Sequence, residues 1–297
     1  MWGTILCMNT SKSKPNFALS IINDEIDQDF EETLKFLRLN KIDFVEVRTI
    51  NNKNILDFSR LEIIELKKLL QKYEIRVSAI SSPLFKWYPR HPQINDAKSS
   101  FGFPEYLDTN SKVHYIKHAF HIAKSLKTKS IRIFSLLMDN DTQERSDFWE
   151  LEPETFGIAL NLSSEYKIKL LVENGFSTNF RKWSQIINWD NYYSKSGFDP
   201  LFDFANARYI GEQVNVSEIH CISPFIGHLH VKDYQESSQK IVPFGTGDID
   251  WGNILTQISQ GATRKVMLSL EFDGKYDKKI ISETIDNLRT SISKINT

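Results

Sequence analysis

Residues 226–233 read IGHLHVKD, and the fold turns on how this octapeptide is housed. In an extended chain side chains alternate, so His228, His230 and Lys232 point one way while Leu229, Val231 and Asp233 point the other. The apolar row suits packing against helices. The row of two imidazoles and an ammonium needs a special interior, which the remainder of the chain must supply.

Seven other segments read as strands: NFALSII (16–22), FVEVRTI (44–50), IRVSAISS (75–82), SIRIFSLL (130–137), KLLVEN (169–174), PLFDFA (200–205) and VMLSLEF (266–272). Between them lie amphipathic stretches, such as 29–41, 61–73 and 113–126, with apolar residues three and four apart. Further helix is expected around 153–166, 180–190, 212–222, 251–260 and 277–293. Such alternation fits a closed (β/α)8 barrel or a doubly wound open sheet. The units recur without a linker, and no G-x-G-x-x-G follows the first strand. Both observations favour a single (β/α)8 TIM barrel domain spanning residues 1–297. The longest irregular segment, 83–110, then follows strand 3 on the face where barrel active sites form. Its Trp87, Tyr88, Arg90 and His91 are placed to cover a polar ligand or to pack as a surface excursion.

Composition is that of a globular protein: 40% hydrophobic, 25% charged and net charge −1 over 297 residues. No overall field draws it to nucleic acid or anionic lipid, so neither is expected as a partner. No run is long enough for a membrane span, and the N-terminal apolar patch lacks the features of a secretory signal. Two cysteines, Cys7 and Cys221, are too few for a disulfide framework. The expected setting is cytoplasmic.

Polar residues end the later strands: Glu173-Asn174 on strand 5, Asp203 on strand 6, His228 and His230 on strand 7, and Glu271 on strand 8. A parallel barrel gathers these ends at one rim. Three carboxylates in one cavity repel unless a cation or protons compensate, and a divalent metal with oxygen ligands plus an imidazole meets that need. Taken singly, each Glu is an ordinary solvated strand end and each His a satisfied core residue. On four consecutive strands they point to a metal.

These segments resemble the sugar isomerase/epimerase superfamily of xylose-isomerase-like TIM barrels, which includes ketose 3-epimerases, inosose dehydratases and endonuclease IV. The matching pieces are LVENG (171–175), LFDFANA (201–207), HLHVKD (228–233), FGTGDIDWGNIL (244–255) and LSLEFDG (268–274). The resemblance implies one divalent ion, manganese, magnesium, cobalt or zinc, held by Glu173, Asp203, His230 and Glu271. It leaves His228 in a deeper layer. The chain departs from its relatives at Gly175, where many have His, and at Asn206, where ketose 3-epimerases tend to have His. It has Lys232-Asp233 in place of Gly-Glu, and no substrate-binding Arg in Tyr234-Gln235-Glu236. These differences bear on the substrate rather than the metal.

The implied chemistry is proton abstraction beside a metal-chelated carbonyl, through an ene-diolate, on a small sugar or polyol. Glu173 and Glu271 are the expected catalytic pair, approaching the substrate from opposite sides. Asn174, Asn206, Lys232, Asp233, Glu46, Arg48 and Trp87 are the candidate substrate contacts. For Glu46 and Arg48 the alternative is a buried ion pair, and for Asp233 an outward salt bridge. Asp250 is expected to cap the helix that starts near Trp251, and His114, His118 and His121 to lie on the surface of an outer helix. The expected function is an isomerase or epimerase of sugar metabolism. Its alternatives are a dehydratase or lyase on an inosose or 3-keto sugar, an endonuclease IV-like enzyme, and a non-catalytic sugar-binding barrel. Seven histidines, three of them on one helix, and a net charge of −1 argue against the nuclease. A homo-oligomer is compatible with everything above.

Overall fold

The computed structural model describes residues 17–90, 102–138, 147–182, 185, 197–213 and 215–296. Eight parallel strands form one sheet: β1 (Phe17–Ile21), β2 (Phe44–Val47), β3 (Arg76–Ser81), β4 (Ser130–Ile133), β5 (Lys169–Glu173), β6 (Phe198–Asp203), β7 (His228–Val231) and β8 (Val266–Leu270). Each pairs with its sequence neighbour from β2 round to β8, and β8 pairs with β1. A lone parallel bridge between Ile22 and Glu46 joins β1 to β2 and brings the ring to near closure. The fold is the (β/α)8 TIM barrel expected from the alternation.

Helices α1 (Phe30–Leu39), α2 (Arg60–Lys72), α3 (Thr109–Ser125), α4 (Pro153–Tyr166), α5 (Phe204–Tyr209), α6 (Val216–Ile222), α7 (Trp251–Gly261) and α8 (Lys278–Asn296) occupy the crossovers. Their starts are set by local chemistry: Asp29 accepts from two backbone N–H groups of α1, Ser59 and Glu62 form a reciprocal capping box, and Asp250 caps α7. The outward residues of the strands, such as Leu229, Val231, Leu268 and Leu270, are buried in one continuous core with the helices. That packing supplies the main hydrophobic stabilisation.

Several boundaries differ from the sequence expectation. Strand 4 stops at Ile133 because Phe134, Leu136 and Leu137 donate to the carbonyls of Leu84, Phe85 and Trp87. Leu136 also takes a positive φ of 67°, incompatible with a continuing strand. Residues Thr49–Ile50 leave β2 to form a small hairpin with Lys53–Asn54. The unexpected α5 starts at Phe204 because Asp203 caps it through Asn206 N–H. The helix expected over 180–190 and His91 lie largely or wholly outside the described residues. No helix among the described residues is long and apolar enough to cross a membrane.

Candidate functional site

Along the barrel axis the interior changes character. Near the middle, Ala79, Leu171 and Leu201 form a small apolar layer. One inward position further along, the strands carry Glu173 and Asp203, and β7 carries His230 in register with Asp203 on one side and Ser269 on the other. This is the interior that the inner row of IGHLHVKD requires.

Single ligand atoms from Glu173, Asp203, His230 and Glu271 all lie within 4.8 Å of one another, and all four residues are buried. His230 Nδ1 is 3.0 Å from Glu173 Oε1 and 3.2 Å from Glu271 Oε2. Its Nε2 is 3.0 Å from Glu46 Oε1, while the other oxygen of Glu46 lies 3.1 Å from His228 Nε2. Three hard carboxylates and one borderline imidazole at this spacing fit a small divalent cation. Asp203 adds a buried oxygen, Oδ2, that faces the cluster and meets the Lys232 ammonium. Glu46 behind the imidazole is the kind of carboxylate that orients a metal-binding histidine.

The charge balance differs from the sequence expectation. Protein cations already stand among the carboxylates: Lys232 Nζ lies 2.8 Å from Asp203 Oδ2 and 2.9 Å from Glu271 Oε2. Arg132 contacts Glu173 Oε2 at 2.5 Å, and Arg48 reaches Glu271 Oε1 at 3.2 Å. The requirement that a metal alone compensate three acids is therefore relaxed. An ion bound here shares Asp203 and Glu271 with a tethered ammonium.

Burial alone would raise every acid in the cluster, and neighbours decide the outcome. For Glu173, His230 and Arg132 overcome burial and lower its pKa to about 2. Glu271 is held well below the usual range despite burial, by Lys232 and His230. Asp203 goes the other way, to about 6: burial, with repulsion from Glu271 and Glu173, outweighs Lys232. His230 is opposed by burial, but Glu46, Glu173 and Glu271 hold it well above the ordinary imidazole range.

The remaining expected contacts divide. Arg48 and Lys232 line a cavity of about 480 Å³ above the cluster, together with Asn206, Glu173 and Glu271. Asn206 donates to Asn174 O and leaves Oδ1 buried without a partner. Asn174 instead staples two strands, accepting from Asp203 N at 2.7 Å and donating to Asp203 O at 2.9 Å. Asp233 accepts from Tyr234, Gly245 and Ile249 N–H groups, so it anchors the glycine turn rather than pairing outward. Gly247 is required there, since a Cβ would meet Asp233 Oδ1 and Tyr234 O at 2.5 Å. Glu46 and Arg48 do not pair with each other: Arg48 is gripped by Asp24 and Glu25 as well as Glu271. Trp87 is fully buried, donating to Glu152 Oε2 at 3.1 Å and packing on Phe85. From its loop it is Lys86 that lines the cavity. His118 bonds Phe58 O at 2.9 Å, with the rings of His114 and His121 stacked on either side.

Sequence reasoning missed Arg132, Lys86, Asp24 and Glu25. A signal existed for Arg132: it stands between Ile131 and Ile133 in the same alternation that betrayed His230. Lys86, Asp24 and Glu25 lie beyond strand ends, where no periodicity marks direction.

A barrel with three acids and an imidazole at its strand ends defines a class, and the family model for xylose isomerase-like TIM barrels matches residues 34–291. The chain belongs to that family. No curated protein sequence matches it. Among solved structures it is similar to a D-tagatose 3-epimerase-like protein, with TM-score 0.70 and 14% identity over 94% of this chain and 98% of that one. It is similar to the probable 3-DHS dehydratase AsbF from Bacillus anthracis, with TM-score 0.67 and 15% identity over 92% and 98%. It also resembles the IOLI protein with a bound zinc atom, with TM-score 0.66 and 14% identity over 94% and 97%. At such identities the likeness is one of fold.

Proposed function

We propose that the protein is a divalent-metal-dependent isomerase or epimerase of a small sugar or keto-polyol, acting as one barrel domain. The observation that carries this is the convergence of Glu173, Asp203, His230 and Glu271 within 4.8 Å, with Glu173 and Glu271 opening onto the cavity. The epimerase-like fold neighbour and the zinc-bearing one support the reading. The ion, when bound, supplies the positive charge that acidifies a C–H beside a carbonyl and stabilises the ene-diolate left by its loss.

The protein's own groups do the rest. Glu173, ionised at neutral pH, takes the proton from carbon on one side of the substrate. Glu271, across the cluster, passes a second proton to the other face for epimerisation, drawn from the Lys232 ammonium 2.9 Å away, while the first stays on Glu173; aldose–ketose exchange needs one carboxylate alone. Lys232 and Arg132 hold these acids ionised and fixed in place. Asn206 Oδ1 accepts from a substrate hydroxyl, and Arg48 and Lys86 border the space that the distal hydroxyls occupy.

The test is proton exchange in D2O. Ketoses, inososes and 3-keto sugars are incubated with protein loaded with manganese, magnesium, cobalt or zinc, and NMR follows loss of the C–H signal next to the carbonyl. Metal-dependent exchange in at least one substrate class is the expected result. No exchange with any metal rejects the proposal.

One observation favours a dehydratase as second reading. The Lys232 ammonium touches Glu271, so an acid stands beside the base where a leaving hydroxyl would need a proton. Elimination is recognised by loss of one water from the product mass, whereas isomerisation conserves the formula.

A further inference from the structure

Phe176 and Tyr209 are exposed, by 42% and 51%, although both are large and apolar. Their rings lie 4.6 Å apart, inclined by 38°. The other large apolar side chains exposed among the described residues, Leu39, Leu61, Ile64 and Tyr106, lie on α1, on α2 and before α3. An exposed pair at contact distance is a different matter from single surface residues, because adjacent exposed rings form a patch that marks a binding surface. Tyr209 also meets Tyr234 edge to face, with ring centroids 6.5 Å apart, and Tyr234 forms a small buried apolar pad with Ala205 and Ile241.

The position of the pair is specific. Phe176 lines the 480 Å³ cavity that holds Glu173 and Glu271. Tyr209 lines a second concavity of about 390 Å³ with Arg208, Gln213, Glu236 and Gln239. Arg208 is paired with Glu236 and hydrogen-bonds Gln213 Oε1 at 2.5 Å, so this second wall consists of ordered polar groups. The two rings thus form a saddle between the reaction cavity and a polar cleft.

We infer that the substrate is a glycoside or disaccharide: the reacting sugar enters the metal-side cavity, and a second sugar crosses the Phe176–Tyr209 saddle into the cleft beside Arg208 and Glu236. A pyranose has an apolar C–H face and a rim of hydroxyls. The face matches an aromatic platform, and the rim matches amide, guanidinium and carboxylate partners. A protein partner would call for a broad convex apolar surface, whereas this patch is two rings wide with a concavity on each side. The inference rests on the reading that the reaction cavity takes a sugar.

The experiment measures dissociation constants by saturation-transfer NMR on the magnesium-loaded protein. Probes are glucose and xylose against trehalose, maltose, cellobiose and sucrose. At least one disaccharide binds tenfold or more tightly than either monosaccharide; Phe176→Ala and Tyr209→Ala each erase that advantage, and Tyr209→Ala, which lies outside the reaction cavity, does so with monosaccharide affinity unchanged. Equal affinity of the two groups in the wild type overturns the inference and leaves the sugar-binding reading standing. An advantage that persists in both variants also overturns it, as does a wild-type dimer, seen by light scattering, that both variants dissolve. If no sugar binds, the inference and the underlying reading fall together.

Discussion

Glu46 Oε1 lies 3.0 Å from His230 Nε2, so a carboxylate on β2 determines which imidazole nitrogen faces the cluster formed by β5, β6 and β8. With the Nε2 proton directed at Glu46, Nδ1 is left toward Glu173 and Glu271. Glu46→Gln is expected to weaken divalent-metal binding by about 10- to 100-fold, in line with other outer-shell carboxylates. Calorimetric titration with zinc measures it, and undiminished affinity would show that Glu46 does not orient the ligand.

Glu173→Gln and Glu271→Gln are each expected to abolish turnover, since each removes a base that the two-sided scheme requires. His228→Asn is expected to leave metal occupancy largely intact, because His228 contacts Glu46 and is not among the four clustered donors. Solvent deuterium incorporation and elemental analysis of the purified variants read the two effects. Full activity in either glutamate variant rejects the two-base scheme.

Lys232→Met is expected to bind divalent ions more tightly, by about tenfold or more, because it removes the ammonium that shares Asp203 and Glu271 with the ion. Before metal is added the variant should be less stable, by about 3–5 kcal/mol, the usual cost of stripping a partner from buried charges. Metal should then raise its melting temperature more than it raises that of the wild type. Lys232→Arg, which keeps the charge, should behave like the parent. Weaker binding in the Met variant would mean that Lys232 supports the ion rather than competing with it.

Glu25 gives a pH dependence whose sign can be worked out. Burial, acting against Arg48, raises its pKa from 4.5 to about 7. A carboxyl raised in the folded state holds its proton more tightly when folded. Its contribution is fully present below pH 4.5 and is lost as pH climbs through 7. Glu25→Gln keeps the neutral form at all pH values. It should equal the wild type at pH 4 and exceed it at pH 8, by up to about 3 kcal/mol, the equivalent of the shift. Chemical denaturation at the two pH values decides it, and a variant less stable at pH 8 would mean that the Arg48 pair outweighs burial.

Much of the barrel was legible because a parallel strand with helices outside and a charged cavity inside writes both faces into its alternation. His228, His230 and Lys232 opposite Leu229 and Val231 are the clearest case. The clustered acids Glu173, Asp203 and Glu271 were legible for the same reason, being inward residues at strand ends. Arg48 was less so: three acids compete for its guanidinium, and two of them sit in the turn after β1, close only once the barrel curls shut. For Trp87 the sequence left covering a ligand and packing both open, and the structure packs it, because its loop pairs with residues 134–137 and turns the indole into the core, toward Glu152. Asp233 reads from its place at the end of strand 7 as a substrate contact or an outward salt bridge, yet three backbone N–H groups claim it.

The bridge between Ile22 and Glu46 has a bearing on how the ring breathes. Elsewhere around the circumference neighbouring strands are laced by ladders of two to five residue pairs, whereas this junction is a single rung. Amide protons at that seam should therefore be the first in the wall to trade with solvent. Since Glu46 is one end of the rung and also steadies both imidazoles, each parting of the seam would slacken the grip on His230. Loading the floor of the barrel with a cation should in turn draw the seam tight.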